Sequence, residues 1–300
     1  MRIAHLSDLH LLDLEGAVPF RILNKRLTGY LNLQLRRKNH HKPHAAQAVA
    51  RAIRESSIDH VVITGDVSNL ALEREFERVQ RFVEVDLGFT EDRVSLVPGN
   101  HDAYTRGAHR TRRFDKTFAK YLRSDVSVAD DGEMFPFVKL RGPVALVGLS
   151  TAKPRPPFVA SGSIGGAQLA AFRRALAHPE VQKRTLVVLQ HHPWHHKGLL
   201  HWLVEGLWDA PAEAEMLRHL SRGLLLHGHQ HRRIHRTVPT DRGHIDAVGA
   251  TSASLLHDSD ERMAGFNVYE VKDDGSIGAI SSHRIGAPDQ AFWEVPIPLG

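Results

Sequence analysis

Five short apolar runs, each followed at once by aspartate, asparagine or histidine, constrain the fold of this chain most strongly. The clearest is the run 94–98, which ends in Gly99, Asn100, His101 and Asp102. Four other runs end in the sequences S-D-L-H, G-D, H-H-P and G-H-Q-H. Each run has the length of a buried strand that ends in a turn. Because ligands of α/β sheets lie beyond the carboxyl ends of the strands, we expect these polar groups to meet at one edge.

The residue types in these turns are those that bind divalent metal ions. Asp, His and Asn side chains hold borderline and hard ions such as Mn²⁺, Fe²⁺ and Zn²⁺. The chain has no cysteine, which excludes thiolate ligands and disulfides. The i, i+2 spacing of Asp8 with His10, and of His229 with His231, places each pair on one face of a continuing strand, and a turn would also bring them together. Gly99 is expected to allow a sharp turn.

Between the five runs, the apolar spacing predicts helices and one hairpin. The predicted helices cover 44–57, 71–87, 105–124, 167–177 and 212–222. Ser68 or Asn69 is the expected cap of the second helix. A hairpin is predicted over 134–149, with its turn at Arg141 and Gly142. The first half therefore predicts β-α-β units and a parallel half-sheet, whereas the second half predicts antiparallel pairing.

The motifs D-x-H, G-D, G-N-H-D, H-x-P and G-H-x-H, in this order between residues 8 and 231, resemble those of the calcineurin-like metallophosphoesterase superfamily. The resemblance covers about three quarters of the chain. It implies an α/β fold, namely a four-layer α/β/β/α sandwich of two mixed sheets with a dinuclear metal site at the strand ends. It also implies two divalent metal ions as cofactors, with Mn²⁺ as the first expectation and Fe or Zn as alternatives.

The resemblance further implies which residues bind the two ions. The seven implied metal ligands are Asp8, His10, Asp66, Asn100, His191, His229 and His231. One ion would be held by the D-x-H pair and His231. The other would be held by Asn100, His191 and His229. Asp66, whose carboxylate has two oxygens, would bridge both ions.

Two further residues of G-N-H-D are candidates for catalysis. Phosphoester hydrolysis needs a nucleophile, neutralised phosphoryl charge and a protonated leaving group, and two metal ions about 3.5–4 Å apart supply the first two. His101, which the resemblance leaves free of metal, could act as general acid or stabilise the transferring phosphoryl group. Asp102 could orient the ring of His101.

Other histidines compete for these roles. His192 could reach a metal as easily as His191, and the H-x-P spacing of the family favours His191. His5, His227 and His235 match no ligand position and are expected to be structural. The histidines at 195, 196 and 201, in a His- and Trp-rich cap segment at 194–210, are expected to line the substrate cleft.

Composition and charge set the expected partners and compartment. A net charge of +5 and a pI near 9.6 favour anionic partners, such as phosphate-bearing substrates, nucleic acid or an anionic membrane surface. Met1 leads directly into the first strand, and no apolar run approaches the roughly 20 residues that span a bilayer. We expect one domain over 1–300, in the cytoplasm, with peripheral contact to the inner membrane face.

A basic, amphipathic insertion at 11–44 suggests the substrate. Leucines at 23, 27, 31 and 35 follow helical spacing, and basic side chains such as those of Arg36, Arg37 and Lys38 flank them. The insertion is either a docked surface helix or a lid or membrane-surface element. It resembles the devices that hold lipid-linked substrates in UDP-2,3-diacylglucosamine pyrophosphatases.

The expected function is hydrolysis of a phosphodiester or phosphoanhydride bond, with a lipid-linked nucleotide diphosphate as the first choice of substrate. A soluble cyclic-nucleotide or glycerophosphodiester phosphodiesterase is the alternative, and a non-catalytic scaffold is the second alternative. Nucleic acid is less expected as a partner, because no separate nucleic-acid module is visible. The sequence predicts no oligomeric state.

Overall fold

The chain folds into two six-stranded sheets that pack face to face. The computed structural model describes residues 1–12, 41–103, 105–286 and 292–298. The strands in this part of the chain are β1 (Arg2–Leu6), β2 (His60–Thr64), β3 (Val94–Val97), β4 (Phe137–Arg141), β5 (Val144–Gly148), β6 (Thr185–Leu189), β7 (Gly223–His227), β8 (Ile234–Pro239), β9 (His244–Gly249), β10 (Gly265–Val271), β11 (Ile277–Ile285) and β12 (Phe292–Val295). The first sheet has the order β12-β11-β10-β1-β2-β3, and the second has the order β4-β5-β6-β7-β9-β8.

Helices connect many of these strands. They are α1 (Pro43–Glu55), α2 (Glu73–Arg81), α3 (Arg106–Arg110), α4 (Arg113–Phe118), α5 (Gly166–Ala177), α6 (Pro179–Gln182), α7 (Leu199–Glu205) and α8 (Ala210–Leu217). A π-helix over Phe82–Leu87 continues α2, and 3-10 turns cover Glu91–Arg93 and Ala119–Leu122. Within the described ranges, no helix is long and apolar enough to cross a bilayer.

Alternate residues of the second sheet belong to two separate apolar clusters, and this reveals the order of the layers. On β6, Val187 and Leu189 are buried in the cluster that also holds the strands of the first sheet. Leu186 and Val188 are buried with Phe172 of α5. Because successive side chains of a strand point to opposite faces, the second sheet has the first sheet on one side and helices on the other.

The outer face of the first sheet is covered by α1. Its buried Ala46, Val49 and Ile53 belong to the cluster of β1, β2 and β3, and α1 also contacts β10 and β11. The four-layer α/β/β/α sandwich of two mixed sheets is therefore confirmed. The expected single domain over 1–300 stays a prediction.

Strand pairing in the second sheet differs from the expectation. The pairs β5–β6, β6–β7 and β7–β9 are parallel, and antiparallel pairs lie at the two edges, β4–β5 and β8–β9. The predicted antiparallel second half is thus wrong for the centre of this sheet. The physical reason is that α5 and α6 separate β5 from β6, and α8 separates β6 from β7. Such helical crossovers return the chain to the same end of the sheet.

The helix predicted over 105–124 is broken. Arg112 has a left-handed backbone with φ +52°, which separates α3 from α4. After this break, the ring of Phe114 lies 6.1 Å and that of Phe118 lies 5.9 Å from the ring of Phe76 on α2. The break therefore lets both aromatic side chains pack against the same neighbouring helix.

The cap predicted for the second helix is also wrong. The carboxylate of Glu75, in the first turn of α2, accepts hydrogen bonds from the backbone amides just before the helix, including that of Leu72 at 3.0 Å. Burial raises the pKa of Glu75 to about 7. Ser68 and Asn69 take part in the loop contacts described below and not in capping.

The basic insertion at 11–44 falls almost entirely outside the described residues, because residues 13–40 are not among them. The predicted leucine stripe and its basic flanks therefore remain expectations. The predicted cap segment at 194–210 contains α7.

Candidate metal centre

The seven side chains expected to bind metal lie together at one edge of the sandwich. The loops after β1, β2, β3, β6 and β7 carry, in this order, Asp8 and His10, Asp66, Asn100, His191, and His229 and His231. Strands β1, β2 and β3 belong to the first sheet, and β6 and β7 belong to the second. Both sheets therefore contribute to the same site, at the carboxyl ends of their parallel strands.

Most of these residues have a left-handed backbone. The angle φ is +52° at Asp8, +45° at His10, +48° at Asp66, +68° at His229 and +48° at His231. The i, i+2 pairs thus converge through turns and not as alternate residues of a continuing strand. Asp and His are among the residues that tolerate this conformation best, yet it still costs on the order of 1 kcal/mol each.

Two imidazoles and two carboxylates form a first cluster. One nitrogen or oxygen from each of Asp8, His10, Asp66 and His231 lies within 4.8 Å of the others. His231 Nε2 is 3.0 Å from Asp8 Oδ1 and 3.1 Å from His10 Nε2. Such a set of nitrogen and oxygen donors can hold a divalent ion.

The second cluster shares Asp66 with the first. Asn100 Oδ1 lies 3.1 Å from His191 Nε2 and 3.1 Å from His229 Nδ1. Asp66 Oδ2 lies 3.4 Å from His191 Nε2 and 4.0 Å from His10 Nε2, so it faces both clusters. The other oxygen, Oδ1, accepts a hydrogen bond of 2.8 Å from the backbone N–H of His101.

His191 is oriented by its second ring nitrogen. Its Nδ1 donates to the carbonyl oxygen of Thr64 at 2.7 Å. Because a carbonyl only accepts, Nδ1 carries a proton, and Nε2 is the nitrogen that faces Asp66 and that an ion would have to deprotonate in order to bind. Burial lowers the pKa of His191, but the adjacent Asp66 carboxylate outweighs it and raises the pKa to about 9. The cluster therefore favours positive charge at this point.

His192 has different partners. Its Nε2 donates to the carbonyl oxygen of Ala160 at 2.8 Å, and its Nδ1 is 2.7 Å from Thr151 Oγ1. Burial lowers the pKa of His192 to about 3. Both nitrogens of this neutral ring are engaged by the protein, so the geometry favours His191 over His192 as a metal ligand.

The donor atoms fit an ion as well as the donor types do. Asp8 Oδ1 accepts no hydrogen bond from the described residues, although His231 Nε2 lies 3.0 Å away. His10 Nδ1 and His229 Nε2, which are the ring nitrogens other than those facing Asp66 and Asn100, are buried and also have no hydrogen-bond partner among the described residues. Burial holds the pKa of His10 and that of His229 well below the usual range. Neutral imidazoles beside buried carboxylates are the protonation states that metal binding requires.

His101 stands beside this site. Its Nδ1 donates to the carbonyl oxygen of Asn69 at 2.7 Å, and its ring centre lies 5.0 Å from that of His10. Asn69 also donates from Nδ2 to the carbonyl oxygen of His10 at 2.7 Å. Asn69 therefore joins the loops that carry His10 and His101.

Asp102 takes a place other than the expected one beside the ring of His101. Its Oδ1 accepts from the backbone N–H and the hydroxyl of Ser68 at 2.9 and 2.7 Å. Its Oδ2 accepts from the backbone N–H of Gly99 at 2.9 Å. Asp102 thus ties the loop after β2 to the loop after β3, and the orienting contact at His101 Nδ1 comes from Asn69.

Two glycines allow the loops to approach each other closely. A Cβ on Gly99 would lie 2.2 Å from Asp66 Oδ1, and one on Gly228 would lie 2.5 Å from Asp8 Oδ2. Gly99 is needed for this close contact, and its φ is not positive. Any side chain at Gly99 would displace Asp66.

Known families and structures bear on this site. The model of the calcineurin-like phosphoesterase family matches residues 1–233. The chain belongs to this family. All five motifs lie within the matched residues, so membership supports a metal-dependent phosphoester hydrolase that takes phosphate-containing substrates. The calcineurin-like phosphoesterase family is dimetal-dependent, and the clustered Asp and His residues of this chain could bind metal.

Solved structures similar to this calcineurin-like phosphoesterase share its fold. A dimetal phosphatase from Danio rerio has a TM-score of 0.61 and 13% identity, over 94% of this chain and 95% of that one. A purple acid phosphatase from yellow lupin (Lupinus luteus) seeds has a TM-score of 0.60 and 12% identity, over 98% of this chain and 52% of that one. At such identities the likeness establishes the fold alone. No curated protein matches the sequence significantly.

Sequence reasoning missed one histidine at this site. The ring centre of His41 lies 4.8 Å from that of His10 and 5.5 Å from that of His231. His41 belongs to the basic insertion and follows no strand, so the rule that located the other residues did not apply to it. Its signal in the sequence was its place just before Pro43, which starts α1.

The histidines expected to be structural have protein partners. His5 Nδ1 is 2.9 Å from the hydroxyl of Tyr269, and burial lowers the pKa of His5 to about 3. His235 Nε2 is 2.7 Å from Asp246 Oδ1. Burial likewise lowers the pKa of His227 to about 4.

Proposed function

We propose that this chain hydrolyses a phosphodiester or phosphoanhydride bond with two divalent ions. The observation that carries the proposal is the position of Asp66 Oδ2, which lies 4.0 Å from His10 Nε2 and 3.4 Å from His191 Nε2. One oxygen therefore faces two sets of ligands. The ions, when bound, would supply an activated nucleophile and neutralise charge on the phosphoryl oxygens.

The proposed ligands form two positions. The first position consists of Asp8, His10, Asp66 and His231. The second position consists of Asp66, Asn100, His191 and His229. Because the donors are oxygen and imidazole without sulfur, we propose Mn²⁺ as the first choice, with Fe or Zn as alternatives.

We propose His101 as the general acid. Its Nδ1–H donates to the carbonyl oxygen of Asn69 at 2.7 Å, which leaves Nε2 as the nitrogen that exchanges a proton. In the imidazolium form, Nε2–H would give its proton to the leaving alkoxide, and the ring would return to the neutral state. The ring stands edge-on to His10, with an interplanar angle of 88°. His101 would therefore act on a leaving group beside the first position.

Asp102 is proposed as a positioning residue. Its hydrogen bonds to Gly99 and Ser68 keep the loop of Asn100 next to the loop of Asp66. Burial and the charge of Asp66 raise the pKa of Asp102 to about 7. Its role would be to hold the two loops together and not to transfer protons.

Hydrolysis of bis(p-nitrophenyl) phosphate with added Mn²⁺ tests the proposal. We expect turnover by the unsubstituted chain and by Asp131→Asn, which changes an exposed aspartate, and no turnover by Asp66→Asn. Metal analysis should find two ions per chain in the first two proteins. Absence of turnover with every divalent metal would favour the non-catalytic scaffold instead.

We propose further that the substrate is amphiphilic, as a lipid-linked nucleotide diphosphate is. Phe158, Leu199, Leu200 and Leu203 have 87%, 71%, 76% and 44% of their surface exposed. The loop of Phe158 is joined to α7 by a hydrogen bond of 2.7 Å from the N–H of Ala160 to Val204 O. The same Ala160 accepts from His192. Ala160 thus links the segment of Phe158 both to α7 and to His192, the neighbour of His191 in sequence. Acyl chains could be buried on these exposed apolar side chains.

Replacing leucines 199 and 200 by serine tests this choice. We expect the rate on bis(p-nitrophenyl) phosphate to stay unchanged, and the rate on UDP-2,3-diacylglucosamine in mixed micelles to fall about tenfold, because the lost burial is worth about 1–2 kcal/mol. The double methionine variant, which keeps the apolar surface, should retain both rates. An unchanged rate on the lipid-linked substrate would favour a soluble cyclic-nucleotide or glycerophosphodiester phosphodiesterase.

The proposed location follows from the same surface. An apolar patch on a chain of net charge +5 would favour peripheral contact with anionic lipid at the inner membrane face. Sedimentation with vesicles that contain anionic lipid should separate the leucine-to-serine variant from the unsubstituted chain. Equal sedimentation of the two would argue for a cytoplasmic enzyme without membrane contact.

A further inference from the structure

We infer that His41 is a fifth protein ligand at the first position, an inference that rests on the proposed two-ion function. The D-x-H and G-H-x-H motifs supply two imidazoles there, and His41 would add a third from a different part of the chain. Atoms of His10, His41 and His231 that can bind metal lie within 4.8 Å of one another.

The spacing is close to that of ligands on one ion. With metal–nitrogen bonds of about 2.0–2.1 Å, two ligands on one ion are at most about 4.2 Å apart. His10 Nε2 and His231 Nε2, at 3.1 Å, already satisfy this limit. The ring of His41 meets both of theirs edge to face, with interplanar angles of 67° and 85°. Among the described residues, the group that includes Asp8 and Asp66 within 4.8 Å does not include His41, so the ring of His41 would have to turn toward these carboxylates to enter the coordination shell.

The hydrogen bonds of His41 are those of a metal ligand. Its Nδ1 is 2.8 Å from Ser254 Oγ and 3.3 Å from Ser252 Oγ. A metal-bound histidine usually donates its second N–H to an oxygen that fixes the ring. When the N–H of Nδ1 donates a hydrogen bond to Ser254 Oγ, the lone pair of the neutral ring is on Nε2. Ser252 Oγ in turn donates to the carbonyl oxygen of Asp8 at 2.6 Å, which links His41 to another residue of the first position.

The backbone around His41 is anchored to the same neighbours. The N–H of Lys42 donates to Ser254 O at 2.7 Å, and the N–H of Ala253 donates to Ser7 O at 2.9 Å. His41 also forms an isolated β-bridge with Leu255. His41 and the D-x-H loop are therefore held by one segment, 252–255, so the third imidazole is placed before any ion binds.

A third imidazole changes the metal that the first position prefers. Imidazole ligands suit Zn and Fe, whereas carboxylate and amide oxygens suit Mn. The first position would then have three imidazoles and two carboxylates, against two imidazoles, one carboxylate and one amide at the second. When Zn or Fe is supplied together with Mn²⁺, we expect Zn or Fe, and not Mn²⁺, at the first position.

The test compares His41→Ala with His44→Ala, which removes an exposed histidine three residues further along the chain. The probe is Zn²⁺ alone, measured by titration calorimetry, together with X-ray absorption of the Zn-loaded protein to count imidazole ligands. We expect His41→Ala to bind Zn²⁺ at the first position about 10–100-fold more weakly and to lose one imidazole, and His44→Ala to match the unsubstituted chain. Ser254→Ala, which keeps the ring but removes its partner, should weaken binding less.

The outcomes separate the inference from the function on which it rests. An unchanged imidazole count and unchanged Zn²⁺ affinity in His41→Ala would overturn the inference alone. Binding of fewer than two ions by the unsubstituted chain would overturn the proposed function and the inference together.

Discussion

The two proposed metal positions differ in how firmly the protein holds their ligands. At the second position, His191 is fully buried, its Nδ1 donates to Thr64 O at 2.7 Å, and neither His191 nor Asn100 has a positive φ. His229 is the one unshared ligand of this position with a left-handed backbone. At the first position, Asp8, His10 and His231 all have left-handed backbones. Of these, His231 has 16% of its side chain exposed.

The difference concerns preorganisation. Ligands fixed by outer hydrogen bonds and an ordinary backbone lose little freedom when an ion binds, so more of the interaction energy appears as affinity. Ligands on left-handed turns depend more on the bound ion to keep them in the binding geometry. At the first position they also depend on support from His41. We therefore expect the second ion to be retained and the first to exchange more readily.

The largest effect is expected from removal of the shared carboxylate. Asp66→Ala should lose both ions, since Asp66 Oδ2 faces both positions, and turnover should fall by about 10⁴-fold because several kcal/mol of charge stabilisation depend on the ions. Elemental analysis of the purified protein and assay with a chromogenic diester measure these losses. Retention of either ion would show that the positions do not depend on a common residue.

The next prediction separates the two positions directly. His191→Ala should lower the affinity for the second ion by about 10³-fold and leave the first ion bound. His231→Ala should lower the affinity for the first ion by about 10²-fold and leave the second ion bound. Each variant loses a direct ligand, and the loss of an outer contact alone lowers metal affinity by about 10–100-fold. Competition with a chelator resolves the two affinities. Asn100→Ala should behave like His191→Ala. Equal losses in all three variants would contradict a difference in preorganisation.

His101→Ala should leave metal binding at both positions unchanged. The variant is expected to keep both ions while turnover falls by at least about 10²-fold, the smaller part of the range for a general acid. A substrate with a good leaving group, such as p-nitrophenolate, should lose less rate than an alkyl diester, because it needs less protonation. If metal content fell together with turnover, His101 would belong to the metal centre and not to acid catalysis.

The smallest effect is expected from Glu213, which supports the loop of His191, and it concerns the stability of the fold. Trp194 Nε1 donates to Glu213 Oε2 at 2.7 Å, and burial raises the pKa of Glu213 from 4.5 to about 8. A raised carboxyl pKa means that the folded state binds the proton more tightly. The stability it contributes is complete below pH 4.5 and is lost as the pH rises through about 8.

Glu213→Gln should remove this pH dependence. We expect equal stability of the variant and the unsubstituted chain near pH 5, and a variant that is more stable by on the order of 3 kcal/mol near pH 9. Urea unfolding at both pH values measures the difference, with Glu205→Gln as the exposed control. Parallel pH profiles would mean that Glu213 is already ionised in the folded protein.

Much of the candidate site could be predicted because its signals are local. Asp8, Asp66, Asn100 and His191 each follow an apolar run directly, so residue type and position together indicated one sheet edge. Those signals do not describe partners across space. The contacts of Asp102 with Ser68, and the approach of His41, depend on loops that meet only in the folded chain.

The fold could be predicted to the level of layers, and less well in its details. Apolar alternation located the strands, yet it does not encode pairing direction, which in the second sheet is decided by the crossovers through α5 and α8. The break at Arg112 was not visible because helical periodicity continues through it. The spacing of His229 and His231 fitted both a strand and a turn, since a separation of two residues is compatible with either.

The left-handed turns lower the stability of the folded chain at the same residues that activity requires. Glycine at position 10 or 231 would relieve a backbone cost of about 1 kcal/mol while it deletes a metal-binding side chain. A laboratory selection for heat resistance, performed under chelation, would therefore enrich glycine at these positions and yield robust but inactive chains. The same selection performed with metal present would reverse the ranking, since bound ions stabilise only the folded state that contains their ligands.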